Sequence, residues 1–442
     1  MKISSPIHLL LCCFFCLIIC TETKAQVPAP GKKPSKGLFI YNATIHDGKG
    51  KVWDKGFIQI ENGKISSIGE RNAANAMPDP SRFDALDAGG KHVYPGFMSL
   101  NTSLGLNEID AVRATNDERE TGKENPNVQA ISAYNTDSDL TPTIRLNGVL
   151  MAQITPGGRG ITGLSSVVQL DAWNWEDAVL KKADGMHVIW PSRYSVQGWW
   201  AEPGSIERNK EYLKEREELD RTFTEARMYH SSAVKQVNVK LQSFAGLYSG
   251  STKLFIHAEF AADIVSALEF ARRQNLTNVV LVTGTQVLDV MELVKERNIP
   301  VVLSRIHSLP KKSDDPVYHP VEVPAKLVAA GIRVALDYSG DMEIMGSRNL
   351  AFLAGSATRY GLTREQALQL ITLNPAMIVG LDKTCGSLET GKDATLFISD
   401  GDALDMSTQK LTHAWIQGRP VTLESKQTVL YSKFNKMLEE GR

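Results

Sequence analysis

The stretch VYPGFMSLNTSLGL, residues 93–106, marks the place where the sequence changes its pattern. Before it, short apolar runs are separated by turn residues, as in FIQIENGKISSIG at 57–69, which is typical of a β-hairpin. After it, Val- and Leu-rich runs alternate with amphipathic helical stretches up to about residue 380. Repeated strand–helix units with apolar strands favour a parallel sheet. We therefore expect the first strand of an α/β domain to begin near residue 97.

Seven or eight such units can be counted, which is the number that closes a (β/α)₈ barrel, with a doubly wound open sheet as the alternative. Amphipathic helices are expected at 262–274 and 286–298. After the strand that contains residues 97–101, the clearer strands are GVLMAQI (148–154), GMHVIWP (185–191), KLFIHAE (253–259), NVVLVTG (278–284), IPVVLSR (299–305) and IRVALDY (332–338).

Two further segments lie within this α/β region. The Gly-rich stretch 155–175 lacks the Lys-Ser/Thr ending of a phosphate-binding loop, so we expect a long loop near the barrel mouth. In the charged segment 205–243, Leu219, Phe223 and Ala226 share one helical face, which predicts a helix with a solvated charged side.

Both ends of the chain are rich in short strands that flank the α/β region, and one small β-sandwich built from both ends explains this pattern. The expected segments are a signal peptide (1–25), a Pro- and Lys-rich linker (26–36), a composite β-sandwich (37–94 with 383–423), a barrel (95–382) and a C-terminal tail or helix (424–442).

The N-terminus has the layout of a secretory signal peptide, with Lys2, the apolar run LLLCCFFCLIIC at 9–20 and a small residue, Ala25, at the expected cleavage site. The apolar run is too short to span a bilayer. Lipid attachment at Cys20 is disfavoured because the bulky Ile19 precedes it. The sequence therefore predicts export to the periplasm or the extracellular space.

The composition limits which kinds of binding partner and metal site the protein is expected to have. The 442 residues carry a formal net charge of −1, so nothing indicates a nucleic acid or an anionic membrane as partner. Four of the five cysteines lie in the signal segment and only Cys385 remains, which excludes a disulfide framework and a thiolate metal cluster. A small-molecule or peptide substrate is expected, and a homo-oligomer or an assembly with a related subunit stays open.

Four stretches together resemble one known family. They are NGKISSIG with DAGGKHVYPGF (62–69 and 87–97), FIHAE (255–259), ITLNPAMIVGL (371–381) and GSLETGKDATLFISDGD (386–402). The sequence resembles the amidohydrolase superfamily, and within it the imidazolonepropionase-like and prolidase-like metal-dependent hydrolases. The resemblance implies a TIM-like barrel with a small β-sandwich. It also implies hydrolysis of C–N and related bonds by water bound to one or two divalent metals.

The same resemblance implies a set of metal ligands, of which this sequence keeps few. The family has His-x-His on strand one, Lys or Glu on strand four, His on strands five and six, and Asp on strand eight. Here Asn101 and Ser103 occupy the two strand-one positions, as a polar lining for substrate or water or as a hydrogen-bonded remnant. Gly284 and Thr285 stand where strand six should supply a histidine, so the metal site is degenerate.

Strand five carries the clearest retained residue, His257, as a metal ligand or a general acid/base. Glu259 lies two residues on and should share its face, because side chains of a strand alternate. On strand four, His187 is either a displaced ligand or a core or rim histidine. His307 and His319 lie in the loop after strand seven, within reach of the mouth.

Strand eight offers the proton acceptor. Direct counting places Ser339 at the family's Asp position, whereas Asp337 and Asp341 share its parity, so either could face the site. One divalent metal (Zn²⁺ or similar) held by His257, Glu259 and one of these Asp residues is conceivable, and no cofactor is the alternative. The sequence thus predicts an exported hydrolase of an amide or cyclic amide, or a catalytically degenerate relative that binds a ligand or a partner subunit.

Overall fold

The structure is a computed structural model that describes residues 29–71, 77–199, 202–233, 236–311, 314–338 and 344–441. The predicted signal peptide, with Cys20, and the strand-eight residues Ser339 and Asp341 lie outside the described residues. The segment boundaries inferred from the sequence therefore stay predictions.

The described strands fall into two large sheets and one hairpin. In chain order they are β1 (Gly37–His46), β2 (Val52–Glu61), β3 (Lys64–Glu70), β4 (Phe83–Asp87), β5 (His92–Pro95), β6 (Phe97–Thr102), β7 (Val149–Ile154), β8 (Gly160–Gln169), β9 (Val179–Ile189), β10 (Tyr194–Trp199), β11 (Glu202–Arg208), β12 (Lys253–His257), β13 (Val279–Thr283), β14 (Val301–Leu303), β15 (Val334–Leu336), β16 (Leu396–Ser399), β17 (Leu411–Ile416) and β18 (Arg419–Pro420).

All but the last of the described helices lie between β6 and β16 in the chain, with short 3₁₀ turns between some of them. They are α1 (Leu140–Arg145), α2 (Trp175–Ala178), α3 (Tyr212–Ser231), α4 (Val239–Gln242), α5 (Ala245–Ser249), α6 (Ala261–Arg273), α7 (Met291–Glu296), α8 (His319–Ala329), α9 (Leu350–Ala357), α10 (Arg364–Gln369), α11 (Leu373–Val379) and α12 (Lys426–Glu439). No helix of the described ranges is long and apolar enough to cross a membrane.

The barrel is a sheet of eight strands in the order β15-β14-β13-β12-β9-β8-β7-β6. A parallel bridge between Leu100 and Asp337 joins its two end strands, so the sheet nearly closes. The fold expected from the sequence, a TIM-like barrel, is confirmed, and the open doubly wound sheet is not found. Apolar side chains fill the interior: Met98, Leu100, Met151, Val167, Phe255, Val280, Val282, Val302 and Ala335.

One barrel strand departs from the expected parallel pattern. β8 pairs antiparallel with both β7 and β9, and it lies inside the Gly-rich stretch for which we expected a long loop. That expectation is wrong: the segment is a strand buried on both faces, since the adjacent residues Val167 and Val168 lie in two different core clusters. Gly163 has φ +134°, and a Cβ there would lie 2.6 Å from the carbonyl oxygen of Val128. The glycines thus let residues 125–128 pass close to the strand.

The helix expected in the charged segment is α3, and it buries Leu219, Phe223 and Ala226 as predicted. α6 matches the helix expected at 262–274. Only the second half of the helix expected at 286–298 is α-helical, because residues 285–290 form a 3₁₀ turn.

The second sheet joins both ends of the chain, in the order β18-β17-β16-β5-β1-β2-β3, with β4 also paired to β1. β16, from the C-terminal part, pairs antiparallel with β5, and Leu396, Phe397 and Ile398 supply part of the buried interface. The chain passes from β5 into β6 through Gly96 alone, so this sheet fixes where the first barrel strand begins.

Candidate functional site

The candidate site lies where the carboxyl ends of the barrel strands meet, which is the usual location of active sites in this architecture. His257 is the last residue of β12, and Asp337 directly follows β15. Asn101 lies in β6, next to Leu100, whose backbone is bridged to Asp337. The barrel therefore brings three of the residues expected from the sequence to one end of the sheet.

Asn101 and Asp337 form a hydrogen-bonded pair between strands one and eight. The Asn101 amide nitrogen Nδ2 donates to Asp337 Oδ2 at 2.9 Å, and the Asp337 side chain is fully buried. Asn101 adopts a left-handed conformation, with φ +52°. Asn tolerates this conformation better than most non-glycine residues. Asn101 is therefore a residue that orients the strand-eight carboxylate.

A chain of buried polar groups continues from Asn101 across strands two, three and four. The backbone N–H of Asn101 donates to Gln153 Oε1 at 3.1 Å. Gln153 Nε2 donates to Asp184 Oδ2 at 2.7 Å, and the hydroxyl of Ser165 donates to Asp184 Oδ1 at 2.8 Å. Burial raises the pKa of Asp184 to about 6, against the lowering effect of these hydrogen bonds.

Sequence reasoning missed Gln153, Ser165 and Asp184. Each of them is fully buried. A polar residue inside an otherwise apolar strand, such as Gln153 in GVLMAQI, was the only available signal. The partners of these groups depend on the register of β7, β8 and β9, which the sequence does not specify.

His257 is joined to a second histidine. His187 Nδ1 lies 2.9 Å from His257 Nε2. His187 is fully buried on β9, its ring stacks on Phe255, and its Nε2 has no hydrogen-bond partner among the described residues. Burial lowers the pKa of His187 well below the usual value and that of His257 to about 4. Both imidazoles are therefore neutral near pH 7.

The Glu259 carboxylate lies against Gly284, one of the two residues at the strand-six histidine position. A Cβ at Gly284 would collide with Glu259 Oε1, so the glycine makes room for this carboxylate. Lys311 Nζ lies 3.5 Å from Glu259 Oε1, in an ion pair whose two side chains are partly exposed. Glu259 thus stays a candidate substrate-binding residue at the rim.

The other candidates are less central. Ser103 is partly buried, and its backbone carbonyl accepts the N–H of Leu106. His307 Nε2 pairs with Ser356 Oγ at 2.7 Å, on α9. His319 is the first residue of α8.

The donor set does not match the family's metal site. The Asn101 side-chain amide donates an N–H hydrogen bond to Asp337, and His257 Nε2 is already hydrogen-bonded to His187. Among the residues that the structure describes, no three His, Cys, Asp or Glu side chains lie close enough together to hold a metal ion. A catalytic Zn²⁺ uses three protein ligands and a water molecule.

A cavity of about 550 Å³ lies where β9 ends and α3 begins, and none of His187, His257, Asn101 and Asp337 is among its lining residues. Its walls include Ile189, which is the direct cross-strand neighbour of His257, together with Trp190 and Leu219. Lys123, Glu215 and Glu218 line it on the polar side. Cavities of this size accommodate small molecules, and the mixture of apolar and charged walls suits a polar organic substrate.

The comparisons with known proteins agree with this fold. Residues 217–431 match the amidohydrolase family. An imidazolonepropionase of Treponema denticola is 23% identical over 431 residues, covering 86% of this chain and 96% of the relative. The crystal structure of an amidohydrolase from Thermotoga maritima has a TM-score of 0.74 and 25% identity, covering 87% of this chain and 99% of that one.

A more distant structure shows the same fold. A prolidase complexed with N-methylphosphonate-L-proline has a TM-score of 0.54 and 15% identity, covering 88% of this chain and all of its own. A nearly closed eight-stranded barrel with polar groups at the carboxyl ends of its strands defines a TIM-barrel protein with a candidate site in its mouth. Together with the sequence matches, it supports the assignment of the chain to the amidohydrolase superfamily.

Proposed function

We propose that the barrel mouth hydrolyses a C–N bond, in an amide or cyclic amide of a small molecule or peptide. The observation that carries the proposal is the placement of Asp337 and His257 at the carboxyl ends of strands eight and five, with Asp337 held by Asn101. A buried carboxylate and a neutral imidazole at one barrel mouth provide a proton acceptor and a proton donor.

The reaction can be written with these groups alone. A water molecule attacks the carbonyl carbon, and its proton passes to the Asp337 carboxylate. His257 donates a hydrogen bond to the carbonyl oxygen while negative charge develops there. The C–N bond then breaks, the nitrogen takes the proton from Asp337, and a carboxylic acid and an amine leave.

The relatives support the substrate class. The sequence relative that covers most of the chain is named an imidazolonepropionase, and the most similar structure reported above is an amidohydrolase. We therefore favour small amides, cyclic amides and dipeptides over long polymers.

The proposal is tested with the purified mature chain on a panel of simple amides, lactams, imidazolones and dipeptides, by detecting released amine. We expect turnover in the wild type and a loss of about 100-fold or more in Asp337→Asn, since proton transfer contributes about 10²–10⁴-fold. Asp54→Asn, an exposed change on β2 outside the barrel, is the matched control and should keep full activity.

A divalent metal held through His257 is the second arrangement to test, because family members generally bind such ions. The measurement is metal content by mass spectrometry after Zn²⁺, Mn²⁺ or Fe²⁺ has been offered and the protein desalted. About one metal per chain that disappears in His257→Ala would show a rearranged single site. No retained metal in active protein would show that the residues named above suffice.

The alternative function is binding without catalysis, either of a small ligand or of a related subunit. Asn101 and Ser103 at the strand-one positions favour it, as does the absence of a three-ligand group among the described residues. Ligand-induced thermal stabilisation without turnover on any amide would support this alternative. A change of mass in solution on adding a family member with intact ligands would support the partner-subunit form.

We also propose that the protein is exported, to the periplasm or the extracellular space, after cleavage behind Ala25. The signal layout of residues 1–25 supports this. Fractionation of the native cells and N-terminal sequencing test it. A mature N-terminus at Gln26 is expected, whereas an uncleaved chain in the cytosol would contradict export.

A further inference from the structure

His187 is held in a single orientation by its neighbours in the barrel. It is the cross-strand partner of Phe255 in the pairing of β9 with β12. Its ring lies on the Phe255 ring with centroids 4.6 Å apart and planes inclined by 8°. His187 is fully buried, and Nδ1 is the ring nitrogen that meets His257.

The contact between the two histidines restricts where their protons can lie. A distance of 2.9 Å between His187 Nδ1 and His257 Nε2 is a hydrogen bond, so one of these two nitrogens carries a proton and the other accepts it. The second nitrogen of His187, Nε2, is buried without a hydrogen-bond partner among the described residues.

The two tautomers of His187 differ in what they leave unpaired. With its proton on Nε2, His187 would bury an N–H donor that finds no acceptor, which carries the full desolvation penalty of that group. With its proton on Nδ1, that proton is donated to His257, and Nε2 is left as a bare acceptor. Unpaired buried acceptors are more common in proteins than unpaired buried donors. The geometry therefore favours the Nδ1–H tautomer of His187.

We propose that His187 is a positioning residue that fixes the proton of His257 on Nδ1. His257 Nε2 accepts from His187, so the neutral ring must carry its own proton on Nδ1. His257 then acts on the substrate as an N–H donor to the carbonyl oxygen, and Asp337 is the group that accepts the proton of water. Only this catalytic consequence rests on the proposed function; the placement of the proton does not.

The proposal also explains why His257 differs from a ligand histidine. A metal ion binds the lone pair of a neutral imidazole nitrogen. The lone pair of His257 Nε2 is committed to the His187 proton. A metal at that nitrogen would have to displace the hydrogen bond.

The direct test is ¹⁵N NMR of the histidine side chains of the mature chain, with the His257 signals assigned by their loss in His257→Gln. The wild type should show an unprotonated Nε2 and a protonated Nδ1 on His257. His187→Asn should keep this tautomer, since the Asn amide nitrogen can replace Nδ1–H. His187→Leu should lose it. A protonated Nε2 in the wild type, or an unchanged tautomer in His187→Leu, would overturn the proposal.

A second variant covers the case in which His187→Leu does not fold. His187→Gln extends its amide towards the position of Nε2 and offers no donor at the position of Nδ1. Its His257 should therefore show a mixture of tautomers. Circular dichroism of each variant establishes that it is folded before its spectrum is compared, and the same unchanged His257 tautomer in folded His187→Gln would refute the proposal.

Kinetic measurements distinguish the positioning role of His187 from the proposed hydrolysis itself. On an amide that the wild type hydrolyses, His187→Leu should lower kcat by about 10-fold or more with little change in KM, and His187→Asn should recover most of it. Equal kcat in all three proteins would remove the catalytic consequence. If the wild type hydrolyses nothing, the proposed function fails, while the NMR spectrum still decides where the proton lies.

Discussion

At the scale of single residues, Asn101 combines two requirements that few side chains meet. Its backbone is left-handed, with φ +52°, and its amide donates to a buried carboxylate. Asn101 thus stands where the family has a strand-one histidine. Its backbone conformation and its hydrogen bond together hold the Asp337 carboxylate in place. This makes Asn101 a structural residue of the site as well as a candidate contact for substrate.

We expect Asn101→Ala to lower the free energy of unfolding by about 2.5–5 kcal/mol. The left-handed backbone costs about 1–2 kcal/mol for an ordinary residue, and a lost hydrogen bond to a charged group adds about 1.5–3 kcal/mol. Urea denaturation measures the change. Asn298→Ala is the matched control, because Asn298 is also left-handed but exposed. It should lose only the stability that comes from the backbone conformation, about 1–2 kcal/mol.

Sequence reasoning located single residues well where the family pattern specifies a strand position. It placed Asn101 on strand one and His257 on strand five, where the structure has them, and for strand eight it left Asp337 and Asp341 open. It could not pair His187 with His257. That contact depends on the register that sets Phe255 opposite His187, and no local pattern in either strand determines this register.

At the scale of elements, β8 is the largest difference between expectation and structure. Local propensity alone predicts a loop for a segment that contains Gly160 and Gly163, because glycine is depleted in strands. Tertiary contacts decide otherwise, since residues 125–128 run beside the strand and the backbone N–H of Leu164 donates to the carbonyl of Val128. The apolar strands that surround it were predictable because both of their faces are buried.

We expect Gly163→Ala to destabilise the protein by about 3 kcal/mol or more, because a Cβ would meet the Val128 carbonyl and the backbone has φ +134°. Thermal unfolding followed by circular dichroism measures this. Gly89→Ala is the control: its φ is +61° but a Cβ there meets nothing, so about 1 kcal/mol is expected. Equal losses in both variants would contradict the close passage of residues 125–128.

Asp184, in the chain of buried polar groups across barrel strands one to four, should make the stability of the protein depend on pH. The pKa of Asp184 is raised to about 6 in the fold from an ordinary value of 3.8, so the folded state binds more protons between these values. Stability contributed by protonated Asp184 is therefore lost as the pH rises from about 4 through about 6.

Asp184→Asn should lack this dependence while it keeps the same histidines. The stability of the wild type relative to Asp184→Asn should fall by at most about 3 kcal/mol between pH 4 and pH 7, and urea denaturation at each pH measures it. A difference that rises with pH, or does not change, would show that Asp184 is ionised in the fold.

At the scale of the whole molecule, the two ends of the chain meet in one sheet beside the barrel. β16 lies between β17 and β5, and β5 continues into the first barrel strand. The sequence predicted this joining from the return of short strands after residue 385. It could not give the strand order, because many pairings of short strands satisfy the same apolar pattern.

A chain that ends at residue 382 should therefore fail to fold, because it lacks β16–β18 and leaves one edge of β5 without its backbone partner. Soluble yield and near-ultraviolet circular dichroism report this. A chain that ends at residue 425 lacks only α12, none of whose side chains is buried, and should keep nearly the same melting temperature. A folded, soluble chain ending at 382 would show that the barrel does not need the second sheet.

The measurement that tests the account most directly is hydrolysis in H₂¹⁸O of the amide that the wild type cleaves best. We predict one ¹⁸O atom in the carboxylate product per turnover, the same labelling in Asp54→Asn, and about 100-fold slower product formation in Asp337→Asn. No cleavage of any amide by folded wild-type protein, or undiminished turnover in Asp337→Asn, would contradict hydrolysis at the barrel mouth by the residues described.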